Sequence, residues 1–212
     1  MMTVGQKLGQ QLGHPTRSLY GWLATMFLKY HNRWMEVSAV SLSGIQPGDT
    51  VLELGHGLGL GLEAAAPLLT EPTGKLLGVD ISLYMHQMAG DRLKDLVSSG
   101  KVSLYHCDLM NMPIADNSVD KVFHCNCYYY WTNHRKAAAE IHRVMKPGGL
   151  MVTTLILNRM LILNPILQLS GESWYPEDYM AALRDSGFSQ VTMENKQHKH
   201  LRYQAIYTTA DK

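Results

Sequence analysis

The chain has 212 residues, 46% of them hydrophobic and 17% charged, with 19 Lys+Arg against 18 Asp+Glu. That is the size of one α/β domain with a well-buried core, and the apolar content excludes a chain that stays disordered. A formal net charge of +1 gives no basic field for a nucleic-acid backbone, so nucleic acid is not an expected partner.

The first dozen residues, polar and rich in Gly and Gln, read as a loose tail without the apolar run of a secretory signal. Leu19, Leu23, Met26, Phe27, Tyr30, Trp34 and Val37 recur at helical spacing and predict one long helix over Leu19 to Val40, kinked or split near His31-Asn32. Pro47-Gly48 marks a turn. Strands then alternate with helices. Thr50–Leu54 is a strand, Leu58 to Leu69 a helix, Lys75–Asp80 a strand, and Ser82 caps a helix through Leu96. Val102–Asp108 and Ser118–Asn126 are strands, Thr132 to Met145 is a helix, and a fifth strand starts at Gly149. Asn158 to Trp174 is apolar but irregular; Pro176 opens a helix, and Phe188–Asn195 with Leu201–Thr209 read as a closing pair of strands. The pattern predicts an α/β fold: a Rossmann-like three-layer sandwich around a mostly parallel seven-stranded sheet with an antiparallel edge strand.

In such a sheet ligands bind beyond the carboxyl ends of the strands, near the switch in strand order. Glu53-Leu-Gly55-His-Gly57-Leu-Gly59-Leu-Gly61 follows the first strand, and its glycines let a ligand approach the backbone. Neither Gly55-x-Gly57 nor Gly57-x-Gly59 completes the GxGxxG of a nicotinamide-dinucleotide site, because Leu60 and Leu62 stand at the third position. Glu53 suits a ligand carrying positive charge better than a pyrophosphate. Asp80 lies 80 − 55 = 25 residues after Gly55, where a carboxylate accepts both ribose hydroxyls, a feature that NAD sites share. Asp108 ends the third strand and is placed either to accept from an adenine amine or to cap the turn through Asn111.

Cys107, Cys125 and Cys127 are an odd count without zinc-site spacing, and the ten histidines form no HExxH pattern. No metal, no disulfide scaffold and a cytoplasmic location are expected. Leu150 to Leu169 is interrupted by Asn158, Arg159, Asn164, Pro165 and Gln168, which argues against stable membrane insertion.

In order and spacing, VLELGHGLGLG, GVDIS, CDLMNMP, DKVFHCNCYYYW and RVMKPGGLMV resemble the class I S-adenosylmethionine-dependent methyltransferases, most closely the small-molecule branch of ubiquinone/menaquinone-biosynthesis type. The resemblance covers roughly residues 45 to 157. It implies S-adenosyl-L-methionine as cofactor, with Gly55, Gly57 and Gly59 along the methionine moiety, Asp80 at the ribose, and Asp108 with Leu109 at the adenine. Ile81 and Met85 would pack near the nucleoside, Glu53 would lie at the cofactor, and His56 replaces the small or Cys residue usual in this loop. It further implies a cofactor-binding methyltransferase domain over residues 45–212, with residues 1–44 covering its pocket.

The family faces its substrate with the segment after the fourth strand, here His124-Cys-Asn-Cys-Tyr-Tyr-Tyr-Trp131. Asn126 and Tyr129 are expected near the transferred methyl, with His124 as a possible general base. Tyr128, Tyr130 and Trp131, with Tyr20 and Trp174, are expected to line the acceptor pocket, and Trp22, Tyr30 and Trp34 to help wall it. Aromatic faces also attract cations. The expected reaction is methyl transfer to a small apolar or aromatic metabolite at O, N, S or C. The alternatives are aminopropyl transfer, a nicotinamide-dependent oxidoreductase, and a cofactor-binding protein of this fold without methyltransferase activity.

Overall fold

The computed structural model of the chain describes residues 4–167 and 171–211. Its strands are β1 (Thr50–Leu54), β2 (Lys75–Asp80), β3 (Val102–His106), β4 (Val119–Cys125), β5 (Met145–Leu155), β6 (Phe188–His198) and β7 (Leu201–Ala210). They form one sheet in the order β3-β2-β1-β4-β5-β7-β6. β1 to β5 are parallel, and β7 runs against both of its neighbours. The reversed strand therefore lies just inside the edge, between β5 and β6.

Burial follows from the two-residue period of a strand. Leu52, Leu54 and Val122 point into one apolar core, with Ile141, Val144 and Leu183 from the helices on that side. Val51, Leu76 and Phe123 point into the other, against Ala39, Val40 and Leu62. A central strand covered on both faces has no polar side to spare, which is why β1 is buried from Val51 to Leu54.

The helices are α1 (Val4–Gly13), α2 (Leu19–Leu42), α3 (Leu60–Ala65), α4 (Leu83–Arg92), α5 (Lys94–Ser98), α6 (His134–Val144), α7 (Leu157–Leu167) and α8 (Pro176–Asp185). Side chains accept orphan amides at three of their starts: Ser18 from Gly21 at 3.0 Å, Ser82 from Met85 at 3.2 Å and Asn133 from Lys136 at 2.8 Å. Pro176 fixes the first turn of α8. No helix among the described residues is long and apolar enough to cross a membrane.

Several boundaries differ from the sequence expectation. Residues 4–13 form α1, packed on α2 and α7, in place of a loose tail. α2 runs through His31-Asn32 without a break. Gly59, at φ +73°, delays α3 to Leu60, and Pro67 turns its end into a short 3-10 turn. A break at Leu93 divides the helix capped by Ser82. Part of the segment expected to be irregular, 158–167, is helical; residues 168–170 lie outside the described residues.

The face of α2 also differs. Leu19, Leu23, Tyr30 and Val37 of the predicted apolar stripe are exposed, whereas Thr25, Asn32, Met35, Ala39 and Ser43 are buried. The helix approaches the sheet through small and polar residues, and large apolar side chains at the same period face outward. Periodicity revealed the helix and pointed to its outer face.

Candidate active site

A cavity of about 630 Å³ opens beyond the carboxyl ends of β1 to β4, within the usual size of ligand sites, about 300–1,000 Å³. Gly55, Gly57, Asp80, Ile81, Met85, Asp108, Leu109, Asn126, Tyr130 and Trp131 of the expected set line it. Strand order explains the convergence: β1 lies between β2 and β4, and the chain leaves the sheet in opposite directions at that point.

The loop after β1 is tied to the end of β2. Asp80 Oδ2 accepts the Gly57 N–H at 2.8 Å, and Oδ1 accepts the Ser82 N–H at 2.8 Å. Each oxygen keeps a second lone pair for a ligand hydroxyl. Gly57 sits at φ +50°, and a Cβ added to it would meet nothing nearer than the Gly55 carbonyl oxygen at 3.9 Å. Its backbone is thus open to the cavity. Asp108 is exposed; its Oδ1 accepts the Met110 N–H at 2.9 Å and its carbonyl accepts the Asn111 N–H at 3.0 Å. It caps its turn and faces the cavity at once.

Three residues expected at the cofactor lie behind this wall. Glu53 is buried, accepts the Leu62 N–H at 3.0 Å and holds the start of α3. Burial and neighbouring Glu36 push its carboxyl well above the usual range. His56 is buried with Nδ1 3.0 Å from the Gly57 carbonyl, and burial lowers its pKa. Gly59 packs against the end of α4, where an added Cβ would come within 3.3 Å of Ala89 and 2.9 Å of Leu93, the residue that follows the helix.

The segment after β4 is a 3-10 turn, Tyr128–Tyr130, whose three residues per turn send three rings in different directions. Tyr130 and Trp131 face the cavity. Tyr128 is fully buried, stacks on Tyr179 at 4.7 Å and donates its hydroxyl to the Trp174 carbonyl at 2.7 Å. Tyr129 packs into the core against Tyr128. Neither is on the cavity wall, and Trp174 packs against the same core, stacked on Tyr175. Tyr20 is exposed on α2, as are Trp22 and Tyr30, and Trp34 stacks on His198 of β6.

His124 is also corrected. It is fully buried, its Nε2 lies 2.7 Å from Thr153 Oγ1 and 2.9 Å from the Tyr179 hydroxyl, and its Nδ1 lies 3.2 Å from Cys127 Sγ. Burial lowers its pKa to about 3. Both ring nitrogens are engaged inside the protein, so it supports the turn and has no access to an acceptor.

The N-terminal residues on the cavity wall are not the aromatic ones expected there. Gln10 to Thr16 line the cavity, Gly13 packs against the Tyr130 ring, and Ser82 Oγ donates to the Pro15 carbonyl at 2.5 Å. Asn32 and Glu36, one turn apart on α2, line it too. Their signal was present as polar residues interrupting a helix, yet such residues ordinarily mark a solvated face. Asn126, held at φ +51°, directs Nδ2 to Asn32 Oδ1 at 3.3 Å. All three cysteines line the cavity, and burial raises each thiol. Among the described residues no group of three or more His, Cys, Asp or Glu is placed to hold a metal ion. No lysine or arginine lines the cavity among those residues, whereas Glu36, Asp80 and Asp108 do.

Residues 52–153 match the sequence model of a family described as a methyltransferase domain. Over 119 residues the chain is 34% identical to the ubiquinone/menaquinone biosynthesis C-methyltransferase UbiE of Pseudomonas savastanoi pv. phaseolicola, covering 56% of this chain and 46% of that protein. The chain thus spans about half the length of the curated relatives it matches. Among solved structures, the putative methyltransferase in complex with the Haloferax volcanii Trm112 activator superposes with a TM-score of 0.76 at 18% identity, over 99% of this chain and 100% of that one. Geranyl diphosphate C-methyltransferase from Streptomyces coelicolor A3(2), in complex with Mg2+, geranyl diphosphate and S-adenosyl-L-homocysteine, gives 0.69 at 16% identity, over 94% and 86%. These two likenesses establish the fold.

Proposed function

We propose, for a chain whose residues 52–153 belong to the class I S-adenosylmethionine-dependent methyltransferases, that it transfers a methyl group from S-adenosyl-L-methionine to a small molecule held in the cavity beyond β1 to β4. The observation that carries this reading is the meeting of Gly55, Gly57, Asp80 and Asp108 on one wall of a 630 Å³ cavity. The residues present fit the cofactor. Asp80 has free lone pairs for two hydroxyls, Asp108 offers an acceptor at the far end, and the open Gly57 backbone leaves room between them.

The cofactor supplies an electrophilic methyl on a sulfonium. Asp80 fixes the nucleoside, and Gln10 to Thr16 exclude water from above. Tyr130 and Trp131 provide aromatic faces on which a flat or cationic acceptor rests. Such positioning supplies on the order of 7–11 kcal/mol in favourable cases. The Cys125 and Cys127 thiols, raised well above their usual range by burial, stay protonated and do not compete with the acceptor as nucleophiles.

The wall also bears on the acceptor. With three carboxyl side chains, no lysine or arginine and no metal-holding cluster among the described residues, a neutral or cationic acceptor fits and a diphosphate does not. Residues 1–44 act as the cover of the site, and residues 45–212 as its cofactor-binding body. A single-turnover assay with methyl-labelled S-adenosylmethionine and a metabolite extract tests the reading. Label in a new small product supports it, and tight binding without transfer leaves only a cofactor-binding protein.

A further inference from the structure

Of the three carboxyl groups on the cavity wall, Glu36 alone comes from α2. It lies on the cavity wall with Asn32, on the side where β1 and β4 end, opposite the Asp108 end of the cavity. Its Oε2 is closed off from solvent and has no hydrogen-bond partner. A buried carboxyl oxygen without a partner is costly, and a native site keeps one where a ligand completes it.

The surroundings define what would complete it. Glu53 of β1 and the Cys125 thiol of β4 are electrostatically coupled to it, Asp80 adds negative charge to the same region, and Asn126 Nδ2 turns to Asn32 and the Met35 sulfur. Arg33 on α2 itself and Arg92 on α4 attract it from a distance, and Arg159 of α7 reaches Asn32 Oδ1 at 3.5 Å; none of the three lines the cavity. A neutral hydroxyl would satisfy one oxygen and leave the excess of carboxyl groups uncompensated. A cation with several N–H donors satisfies both.

We propose that Glu36 is the anionic anchor for a ligand ammonium group in this cavity, supplied by the amino-acid tail of the cofactor or by an amine acceptor. The inference rests on the cofactor reading above. It adds a recognition element from α2, outside the sheet loops that grip the nucleoside. Burial raises Glu36 to about 7 against the pull of Arg92 and Arg33, so without ligand at neutral pH it is partly protonated. An ammonium beside it lowers that value, and binding expels a proton.

The test is calorimetry on the full chain at pH 7 in two buffers of different ionisation enthalpy. S-adenosylhomocysteine and then benzylamine on the S-adenosylhomocysteine-loaded protein are titrated into wild type and Glu36→Gln. The expected result is release of a fraction of a proton by wild type on binding one of the two ligands. The variant should bind that ligand at least tenfold more weakly and release none. Loss on the first titration identifies the cofactor tail, and loss on the second an amine acceptor. Methylthioadenosine, which lacks the tail, should bind both proteins alike. Should Glu36→Gln fail to fold, Glu36→Asp takes its place: it keeps the carboxyl but draws it back by one methylene, and it should bind the same ligand more weakly, whereas wild-type affinity with unchanged proton release would reject the anchor. If wild type binds S-adenosylhomocysteine and neither titration shows proton release or responds to Glu36→Gln, the anchor is rejected while the cofactor reading stands. If wild type ignores S-adenosylhomocysteine at millimolar concentration, both fall.

Discussion

Asp80 accepts two backbone amides, from Gly57 and Ser82, and faces the cavity with the lone pairs that remain. Asp80→Ala therefore removes the acceptor for ligand hydroxyls and loosens the glycine loop. Hydrogen bonds to a charged group contribute about 1.5–3 kcal/mol each, so S-adenosylhomocysteine affinity should fall about tenfold or more by calorimetry. Unchanged affinity would reject the ribose assignment. His124 makes a different prediction. Its pKa of about 3 in the fold lies below the ordinary 6.5, so the unfolded chain takes up a proton that the native state refuses. The stability this neutral ring contributes at pH 7 is lost as pH falls from about 6.5 towards 3, at about 1.4 kcal/mol per pH unit. Glu36, raised to about 7 in the fold, works in the opposite direction over pH 7 to 4.5, and Glu53, also raised by burial, acts in the same sense as Glu36. The comparison with His124→Gln isolates the histidine: between pH 7 and 5 the variant should lose about 2 kcal/mol less than wild type in denaturant titrations. Parallel curves would refute it.

At the scale of elements, Ser82 joins two structures. Its Oγ accepts the Met85 N–H at the start of α4 and donates to the Pro15 carbonyl in the segment that roofs the cavity. Loss of an N-cap costs about 0.5–2 kcal/mol, so Ser82→Ala should lower Tm by a few degrees and weaken ligand binding through the roof. A variant with lower Tm and unchanged ligand affinity would show that the roof is held elsewhere. The same scale shows what was readable in advance. Ser82 and Pro176 each announced a helix start, and both helices begin there. The side chains of the Tyr128–Tyr130 turn were not readable, because strand parity and a 3-10 turn direct neighbouring residues differently. Consequently Tyr130 faces the cavity while Tyr129 enters the core, and Tyr129→Phe should leave turnover near wild type once an acceptor is known.

For the whole molecule, a ligand gripped by loops from three strands and roofed by the N-terminal segment binds the native state alone. S-adenosylhomocysteine at a hundred times its Kd should add about 2.7 kcal/mol to stability, which for a domain this size raises Tm by roughly 5–11 °C. NAD at the same concentration should give no shift, and an equal shift would reopen the dinucleotide reading. The amino-acid sequence by itself determined the alternation of elements, the parallel sheet and the three motif segments at its rim, because strand and helix periods and glycine placement are local properties. Only the tertiary structure decided which side chains meet there. It moved Glu53, His56, Gly59 and His124 behind the wall, turned the large apolar residues of α2 outward, and brought Glu36 and Gln10 to Thr16 to the cavity. Which side of a helix is covered depends on what packs against it, and that partner, far away along the chain, leaves no mark in a local pattern.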